Sequence, residues 1–450
     1  MQKETKEDVT INKLVYKGLG LGKLKSGKHV FIPNTLPEDV VTCKVTKKKK
    51  GYCFGEKIDL IKSSSYRESS GCTHFPLCGG CQFMDVSYEN QLKLKRDIFL
   101  DCLTSSSLKI DHLVTNIIPS PSTQYYRNKM EYSFGETSEG VFLGLKKRGQ
   151  FDQVIPTPTC KLLSQETPDI LHFTQNFFTQ KKTSVWNHHT HQGLLRYLVI
   201  RHSKTKNTYL LNIVSSEENT PLFTEFSEKI QKRFPNITSI CLTINPHKAD
   251  TSFSLDYKIL SGSGFLEETL GRMTYKISHL SFFQPNTEAS EKLYETILKL
   301  ASPKKTDTLL DLYCGAGTIG LFLAPYVQEV IGIEENPSAI EDAKENARLN
   351  GIKKTTYYCG RVKNILKFNS FSPDCIIVDP PRSGMVPKAV KRLCEIQAPT
   401  LIYVSCNPNT LIRDLDIITE NNYSICDLKI IDQFPNTYHL ETVVLLKKKT

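Results

Sequence analysis

The chain has 450 residues, a formal net charge of +11, 39% hydrophobic residues and 23% charged residues. These values predict a soluble protein of about two to four domains, with a moderate preference for polyanionic partners. The N-terminal residues MQKETKEDVT contain no apolar run, and no stretch of the chain approaches about 18 consecutive apolar residues. Secretion and membrane insertion are therefore not expected, and we predict a cytoplasmic protein.

The N-terminal region predicts a small all-β barrel of the OB type, because short β-type runs alternate with turn residues. The runs are residues 9–16, 29–32, 40–45 and 52–59, and the breaks are Gly18, Gly20, Gly22, Gly27 and Pro33. The lysine run at 47–50 is either a solvated hairpin tip or a contact for a polyanion. Residues 63–70 form a polar linker.

A cysteine cluster follows the linker. Cys72, Cys78 and Cys81 lie within ten residues, and Gly79 and Gly80 allow the chain to wrap tightly around a metal. Fourteen cysteines in a reducing compartment are expected to stay reduced, so a clustered set indicates metal binding. Zinc, with His74 as a possible fourth ligand, and an iron–sulfur cluster both remain open, because neither the zinc-finger nor the ferredoxin spacing fits well.

The remaining chain predicts one helix and two larger domains. A helix is expected over about residues 88–104, and strand-like runs between 125 and 270 predict an antiparallel α+β domain. From about residue 280, strands alternate with helices, which predicts a doubly wound α/β domain. The predicted strands of this last domain are 307–313, 329–334, 374–378 and 400–405.

A glycine-rich turn at 315–320 (GAGTIG) follows the first of these strands, where a ligand can approach the backbone at the start of a helix. Glycines alone fit dinucleotide enzymes and S-adenosylmethionine (SAM) methyltransferases equally. Asp311, ahead of the glycines, would repel a pyrophosphate and attract a cationic methionine group. Glu334 ends the next strand and suits ribose hydroxyls, and Asp379 ends a third strand before a rigid Pro-Pro turn. Together, these acids favour SAM.

Cys406 is the candidate nucleophile. It follows the apolar run 400–404, and Pro408 suits the first turn of the next helix. The carboxyl ends of strands in open α/β sheets are where ligands bind. A cysteine nucleophile beside a nucleotide-like cofactor and a carboxylate base indicates methyl transfer to a pyrimidine in RNA.

Taken together, these motifs resemble the bacterial RNA (uracil-5-)-methyltransferases over nearly the whole chain. The segments that carry the resemblance are the TRAM-like barrel, Cys72, Cys78, Cys81 and Cys160, and residues 126–131 (YRNKME), 283–286 (FQPN), 311–315 (DLYCG), 379–382 (DPPR), 405–408 (SCNP) and 434–441 (FPNTYHLE). One departure is Tyr438, where a small residue is common, and this change is expected to alter the pocket without disabling the base.

The resemblance implies roles for individual residues. It implies Cys406 as the nucleophile and Glu441 as the base. It implies that SAM contacts Gln284, Tyr313, Glu334 and Asp379. It implies a structural [4Fe-4S] cluster on Cys72, Cys78, Cys81 and Cys160. The implied partner is RNA, with ribosomal RNA as the first candidate and tRNA as the second, and a monomer is expected.

The predicted domains are a barrel (1–61), a cysteine cluster with a linking helix (62–125), an α+β domain (126–275) and a methyltransferase domain (276–450).

Three other functions remain open. Cytosine C5 methylation of RNA or DNA would share the cysteine attack, but a context other than Ser-Cys-Asn-Pro would be expected around the nucleophile. An iron–sulfur oxidoreductase on a dinucleotide-binding fold would require a flavin or NADH. An RNA-binding folding factor would keep its function without Cys406.

Overall fold

The computed structural model describes residues 6–449, which contain a closed five-stranded barrel and two seven-stranded sheets. The barrel has the strand order β1-β2-β3-β5-β4. Its strands are β1 (Lys6–Val15), β2 (Leu19–Lys23), β3 (His29–Ile32), β4 (Val40–Lys48) and β5 (Tyr52–Lys62). Alternate side chains of these strands, such as Val9, Ile11, Val30 and Val41, fill the interior. The predicted N-terminal barrel is confirmed.

Strand β2 is the element of the barrel that the sequence did not predict. Gly20 and Gly22 lie inside it rather than in turns. A Cβ atom at Gly20 would lie 2.0 Å from Oγ1 of Thr35, and one at Gly22 would lie 2.3 Å from Cγ1 of Val9. The two glycines are therefore needed because the narrow barrel leaves no room for a side chain. The prediction that they break the strand is wrong.

Helix α1 (Tyr88–Leu103) joins the barrel to the rest of the molecule and confirms the predicted helix. Ser87 caps its N-terminus by accepting a hydrogen bond from the Asn90 amide. Leu94 and Ile98 pack in a cluster with Leu14 of the barrel, whereas Phe99 packs in the core of the C-terminal sheet. The helix therefore fixes the barrel against the C-terminal domain.

The middle sheet has the strand order β12-β11-β10-β9-β6-β7-β8. Its strands are β6 (Lys129–Thr137), β7 (Gly140–Lys146), β8 (Val154–Pro156), β9 (Leu195–Ser203), β10 (Thr208–Ser215), β11 (Ile237–Ile244) and β12 (Tyr257–Ser261). Two helices, α2 (Thr167–Gln180) and α3 (Thr220–Arg233), accompany it. The predicted α+β arrangement is confirmed, except that β10 and β11 are parallel because α3 forms a crossover between them.

A hairpin of β13 (Phe265–Leu270) and β14 (Met273–Ser278) precedes the C-terminal sheet, whose order is β17-β16-β15-β18-β19-β21-β20. Its strands are β15 (Thr308–Leu312), β16 (Glu329–Glu334), β17 (Thr355–Cys359), β18 (Cys375–Val378), β19 (Thr400–Ser405), β20 (Tyr423–Ile431) and β21 (Glu441–Lys448). Its helices are α4 (Thr287–Ala301), α5 (Thr318–Leu323), α6 (Pro337–Leu349), α7 (Val362–Phe368), α8 (Pro387–Ile396) and α9 (Pro408–Glu420).

Strands β15 to β19 of this sheet are parallel, whereas β21 inserts antiparallel between β19 and β20. The doubly wound α/β domain predicted from the sequence is confirmed. Since the carboxyl ends of parallel strands share one edge, the loops after β15, β16, β18 and β19 meet there. Within residues 6–449, no helix combines the length and the apolar character that crossing a membrane requires.

Candidate active site

The loop between β15 and α5 leaves an open space at the carboxyl edge of the sheet. Tyr313, Gly315 and Gly317 all have positive φ angles, of 62°, 53° and 75°, which turn the chain sharply between strand and helix. A Cβ atom at Gly315 would have no neighbour within 4 Å. The backbone at Gly315 is therefore accessible to a bound molecule.

Three carboxylates surround this loop at the ends of three neighbouring strands. Glu334 accepts hydrogen bonds from the amides of Gly315 (3.2 Å) and Asn336 (2.9 Å). Asp311 is 1% exposed; its Oδ2 accepts from the Gly320 amide at 3.0 Å, while its Oδ1 has no hydrogen-bond partner in the described part of the chain. Burial, with Asp379 and Glu334 nearby, raises the pKa of Asp311 to about 8. An unpaired buried carboxylate oxygen among other acids fits a cationic ligand.

Cys406 and Glu441 lie at the same end of two neighbouring antiparallel strands. Cys406 directly follows β19 and Glu441 begins β21, and the last pair of this ladder is Ser405 with Thr442. Extending the ladder by one step brings Cys406 opposite Glu441. Residues directly opposite on antiparallel strands have adjacent side chains. The strand register therefore places the predicted nucleophile beside the predicted base.

The turn after β18 completes the same edge. Asn407 caps α9 by accepting a hydrogen bond from the Asn409 amide, and it also donates to the Arg382 carbonyl at 2.8 Å. The Asp-Pro-Pro-Arg turn is thus fixed to the residue after Cys406. Arg382 also interacts with the Cys406 thiol, and this interaction opposes the rise in the pKa of Cys406.

Burial dominates the electrostatics of the site. It raises the pKa of Cys406 to about 12, and the nearby Glu441 and Asp379 add to this effect, whereas Arg382 opposes it. The pKa values of Glu441 and Asp379 are both raised by burial, and Asp379 further raises that of Glu441. Without a ligand, the thiol is therefore protonated at neutral pH. A cation bound beside the two carboxylates would lower all three pKa values.

The comparison with known proteins agrees with this geometry. Residues 252–449 match the family described as tRNA (Uracil-5-)-methyltransferase, and residues 3–58 match the TRAM domain. An RNA methyltransferase from Caldanaerobacter subterraneus is 37% identical over 98% of both chains, and one from Thermotoga maritima is 35% identical over 98% of this chain and 99% of its own. The chain belongs to the RNA (uracil-5-)-methyltransferase family.

A solved structure is also similar over nearly the whole molecule. This is the tRNA (uracil-54, C5)-methyltransferase of Pyrococcus abyssi in complex with S-adenosyl-L-homocysteine, with a TM-score of 0.78 and 27% identity. The similarity covers 97% of this chain and 99% of that one. The family resemblance that the sequence motifs indicated is confirmed, including the TRAM domain.

The two remaining predicted SAM contacts of this methyltransferase are Tyr313, in the glycine loop, and Gln284, just before α4. Tyr313 is half-buried at the start of the loop. Gln284 is buried two residues before Asn286, the N-cap of α4, and its carbonyl accepts a hydrogen bond from Asn128 at 2.8 Å. Helix α4 in turn reaches the loop, because the Tyr294 hydroxyl bonds to Oγ1 of Thr318 at 2.9 Å. The YRNKME segment thus supports Gln284 from the middle domain.

The four cysteines of the predicted cluster are electrostatic neighbours. Burial raises the pKa of Cys81 to about 12; Arg127 opposes this effect, and Cys160, Cys78 and Cys72 add to it. Cys81 and Cys160 both pack against the core of the middle sheet. However, no three His, Cys, Asp or Glu side chains of residues 6–449 are arranged to hold a metal ion. Cysteine thiolates are the usual ligands of iron–sulfur clusters, and the cluster at these four residues stays a prediction.

Helix α1 contributes residues to the site that the sequence did not reveal. Lys95 and Asp432 form an ion pair at 2.6 Å, and both side chains are fully buried. Lys95 also donates to the Phe434 carbonyl at 2.9 Å, and Gln91 accepts from the Asn436 amide at 2.7 Å. These bonds hold the loop 434–440 that leads to Glu441. A lysine on a helix usually indicates a solvated surface, so no local signal distinguishes Lys95.

Proposed function

We propose that this enzyme transfers the methyl group of SAM to C5 of a uridine in RNA through a covalent bond between Cys406 and C6 of the base. The observation that supports this proposal most strongly is the register of β19 and β21. It brings Cys406 opposite Glu441, at the sheet edge where Asp379 and the glycine loop lie. A thiol, a carboxylate and a space for a cationic ligand thus meet at one point.

SAM is proposed to occupy the space at Gly315, contacting Gln284, Tyr313, Glu334 and Asp379. The open backbone at Gly315 and the buried acids support this assignment, as does the S-adenosyl-L-homocysteine bound by the Pyrococcus abyssi relative. When bound, SAM supplies a methyl group on a positively charged sulfur. Among residues 6–449, Oδ1 of Asp311 has no hydrogen-bond partner, and a positive ligand nearby would stabilise the ionised form of Asp311.

Cys406 is proposed to activate the base. C5 of uracil is too weak a nucleophile to accept a methyl group unaided, but attack of the Cys406 thiolate on C6 turns C5 into the carbon of an enolate. The sulfur–C6 bond forms while the C5–C6 double bond becomes the nucleophilic electron pair. An unperturbed thiol has a pKa of about 8.5 and is only partly ionised at neutral pH. Arg382 is the residue of this chain that favours the thiolate.

Glu441 is proposed to complete the reaction. Once C5 carries the methyl group, its hydrogen must be removed as a proton, and the electron pair re-forms the double bond as the Cys406 thiolate leaves C6. Burial and Asp379 raise the pKa of Glu441, which makes its carboxylate a stronger base than an exposed one. Its position across the ladder from Cys406 suits a group that acts on the adjacent carbon.

Ribosomal RNA is the proposed substrate, as the family resemblance of the sequence implies. A tRNA substrate is the second candidate, because the Pyrococcus abyssi relative is a tRNA methyltransferase. The net charge of +11 and the TRAM domain support binding to a polyanion. Mass-spectrometric mapping of 5-methyluridine in both RNA classes, with and without the gene, tests this assignment. Unchanged 5-methyluridine in both classes would contradict the function.

The covalent step has its own test. RNA containing 5-fluorouridine should form a denaturant-stable adduct with the wild-type enzyme, because fluorine cannot leave as a cation. The absence of an adduct under conditions of turnover would exclude attack by Cys406. Cys394, a buried cysteine of helix α8, offers a matched control, since Cys394→Ala should still form the adduct.

Cys72, Cys78, Cys81 and Cys160 are proposed to hold a [4Fe-4S] cluster that stabilises the middle domain. Their mutual proximity and the absence of disulfides support this assignment. Anaerobically purified enzyme should be brown and contain about four irons per chain. Cys81→Ala should lose colour and stability together, whereas stoichiometric zinc without visible absorbance would show that the metal is wrong.

A further inference from the structure

The barrel contacts the loop that carries the proposed base. Gly18 in the turn between β1 and β2 has a φ of 64°, and a Cβ atom there would lie 3.1 Å from Cβ of Tyr438. The rings of Tyr16 and Tyr438 meet edge to face, with centroids 6.1 Å apart and an interplanar angle of 83°. The turn at 16–18 therefore leaves room for a large aromatic residue at position 438.

The contact is reciprocal, which fixes the turn relative to the active site. Tyr16 belongs to the barrel chain but packs against the core of the C-terminal sheet. Tyr438 belongs to the C-terminal domain but packs against Leu14 and Leu36 of the barrel and Leu94 of α1. Each ring thus reaches into the neighbouring domain, so the two domains hold the pair from both sides.

The pair lies beside the nucleophile. Tyr438 is three residues before Glu441, whose strand is in register with β19 and Cys406. Burial raises the pKa of Tyr16; Tyr438 and Cys406 add to this effect and Arg382 opposes it. Both tyrosines are only half-buried, so part of each ring remains accessible. Tyr16 is therefore an electrostatic neighbour of Cys406 and Arg382, and its partner Tyr438 lies on the loop that leads directly to Glu441.

We propose that Tyr16 and Tyr438 form an aromatic wall of the pocket that receives the target uridine. The barrel then supplies a residue that contacts the substrate, in addition to binding RNA elsewhere. This inference rests on the proposed function, because it assigns the pocket of Cys406 to a uridine. An enzyme that attacks C6 needs the base out of its stack, and aromatic side chains hold unstacked bases by their π faces.

Tyr16→Leu and Tyr438→Leu test the wall, because leucine keeps an apolar side chain in the interface and removes the ring. The assay measures kcat and KM for methylation of RNA from cells that lack the gene, together with the Kd of SAM. Loss of one base–aromatic stack should raise the KM for RNA about 10- to 100-fold. SAM affinity should stay within about twofold, and Tyr16→Phe should retain the wild-type KM.

Two further measurements distinguish contact of the tyrosine rings with the uridine from a purely structural role of the two tyrosines. Tyr66 packs in the same cluster as Tyr438, so Tyr66→Leu controls for loss of stability. It should lower the melting temperature without raising the KM for RNA. If the two rings act as one wall, the Tyr16→Leu/Tyr438→Leu double variant should raise the KM for RNA by less than the product of the two single increases.

The outcomes distinguish this inference from the proposed function. An active wild type whose Tyr16→Leu variant has an unchanged KM for RNA would overturn the wall alone. Equal effects of Tyr66→Leu and Tyr16→Leu on KM would also overturn it, since both would then act through stability. A wild-type enzyme that makes no 5-methyluridine in any RNA would instead overturn the proposed function, and the wall with it.

Discussion

The proposed cofactor half and the proposed catalytic half of the active site, called the cofactor half and the catalytic half below, are assembled differently. Asp311, Gly315, Glu334 and Asp379 come from three adjacent parallel strands and the loops that directly follow them. Cys406 and Glu441 lie on antiparallel neighbours, and the loop before Glu441 is held by α1 and by the barrel. The cofactor half therefore depends on local turns, whereas the catalytic half depends on contacts between residues far apart in sequence.

This contrast predicts that substitutions in the catalytic half leave SAM binding intact. Cys406→Ala should reduce methyl transfer to RNA below detection, because the variant lacks the thiol proposed to attack C6. Transfer from methyl-labelled SAM measures the loss, and calorimetry should give a wild-type Kd for SAM. A variant that also fails to bind SAM would show that the two halves are not separable.

Glu441→Gln should affect only the last step. The amide keeps the shape of the side chain but cannot accept the C5 proton, and loss of a positioned general base costs about 10²–10⁴ in rate. The variant should stall after methyl transfer, joined to RNA through Cys406. A slowly migrating protein–RNA band that carries the methyl label on a denaturing gel is the expected result. A slow variant without this band would mean that Glu441 acts earlier.

Lys95→Met tests the dependence of the catalytic half on a distant helix. Removing the cation leaves Asp432 buried and unpaired, which should lower the free energy of unfolding by about 3–5 kcal/mol. Urea denaturation measures this loss, and methyl transfer should fall more than SAM affinity. Lys93, which forms an exposed pair with Glu89 on the same helix, is the control, and Lys93→Met should leave the free energy of unfolding close to that of the wild type.

Asp311→Asn tests the cofactor half through pH. Because burial raises the pKa of Asp311 to about 8, the folded state retains a proton that the unfolded chain releases near pH 4. The stability of the unliganded wild type should therefore fall as pH rises from 4 to 8. Asn cannot ionise, so the variant should be more stable than wild type by a few kcal/mol at pH 8 and similar at pH 4. Parallel stability curves would contradict the raised pKa.

The same contrast explains what the sequence could predict. The strands around Asp311, Glu334 and Asp379 were predictable because apolar runs, glycines and acids lie within a few residues of each other. The proximity of Cys406 and Glu441 was not predictable from the sequence, because β21 pairs with β19 and β20 through long-range contacts. Before the structure, Glu441 was assigned only through the family resemblance.

Other features that the sequence did not predict also depend on contacts between residues far apart in the chain. Gly20 and Gly22 indicated turns because glycine is common there, but in this barrel they leave space for Thr35 and Val9 across the interior. Lys95 resembles any surface lysine until Asp432 is brought beside it. Tyr16 has no motif of its own, and only the docking of the barrel brings it near Cys406.

The insertion of β21 has a consequence for the order in which the protein is made. A ribosome releases the chain from its N-terminus, so β20 emerges before the strand that separates it from β19. During synthesis, the sheet has a vacant position beside β19 until residues 441–448 arrive. The residue proposed as the base begins that strand, so completion of this sheet and the onset of methyl transfer are expected to coincide. A nascent chain that stops short of β21 would leave β19 as an exposed apolar edge and would be a target for chaperones.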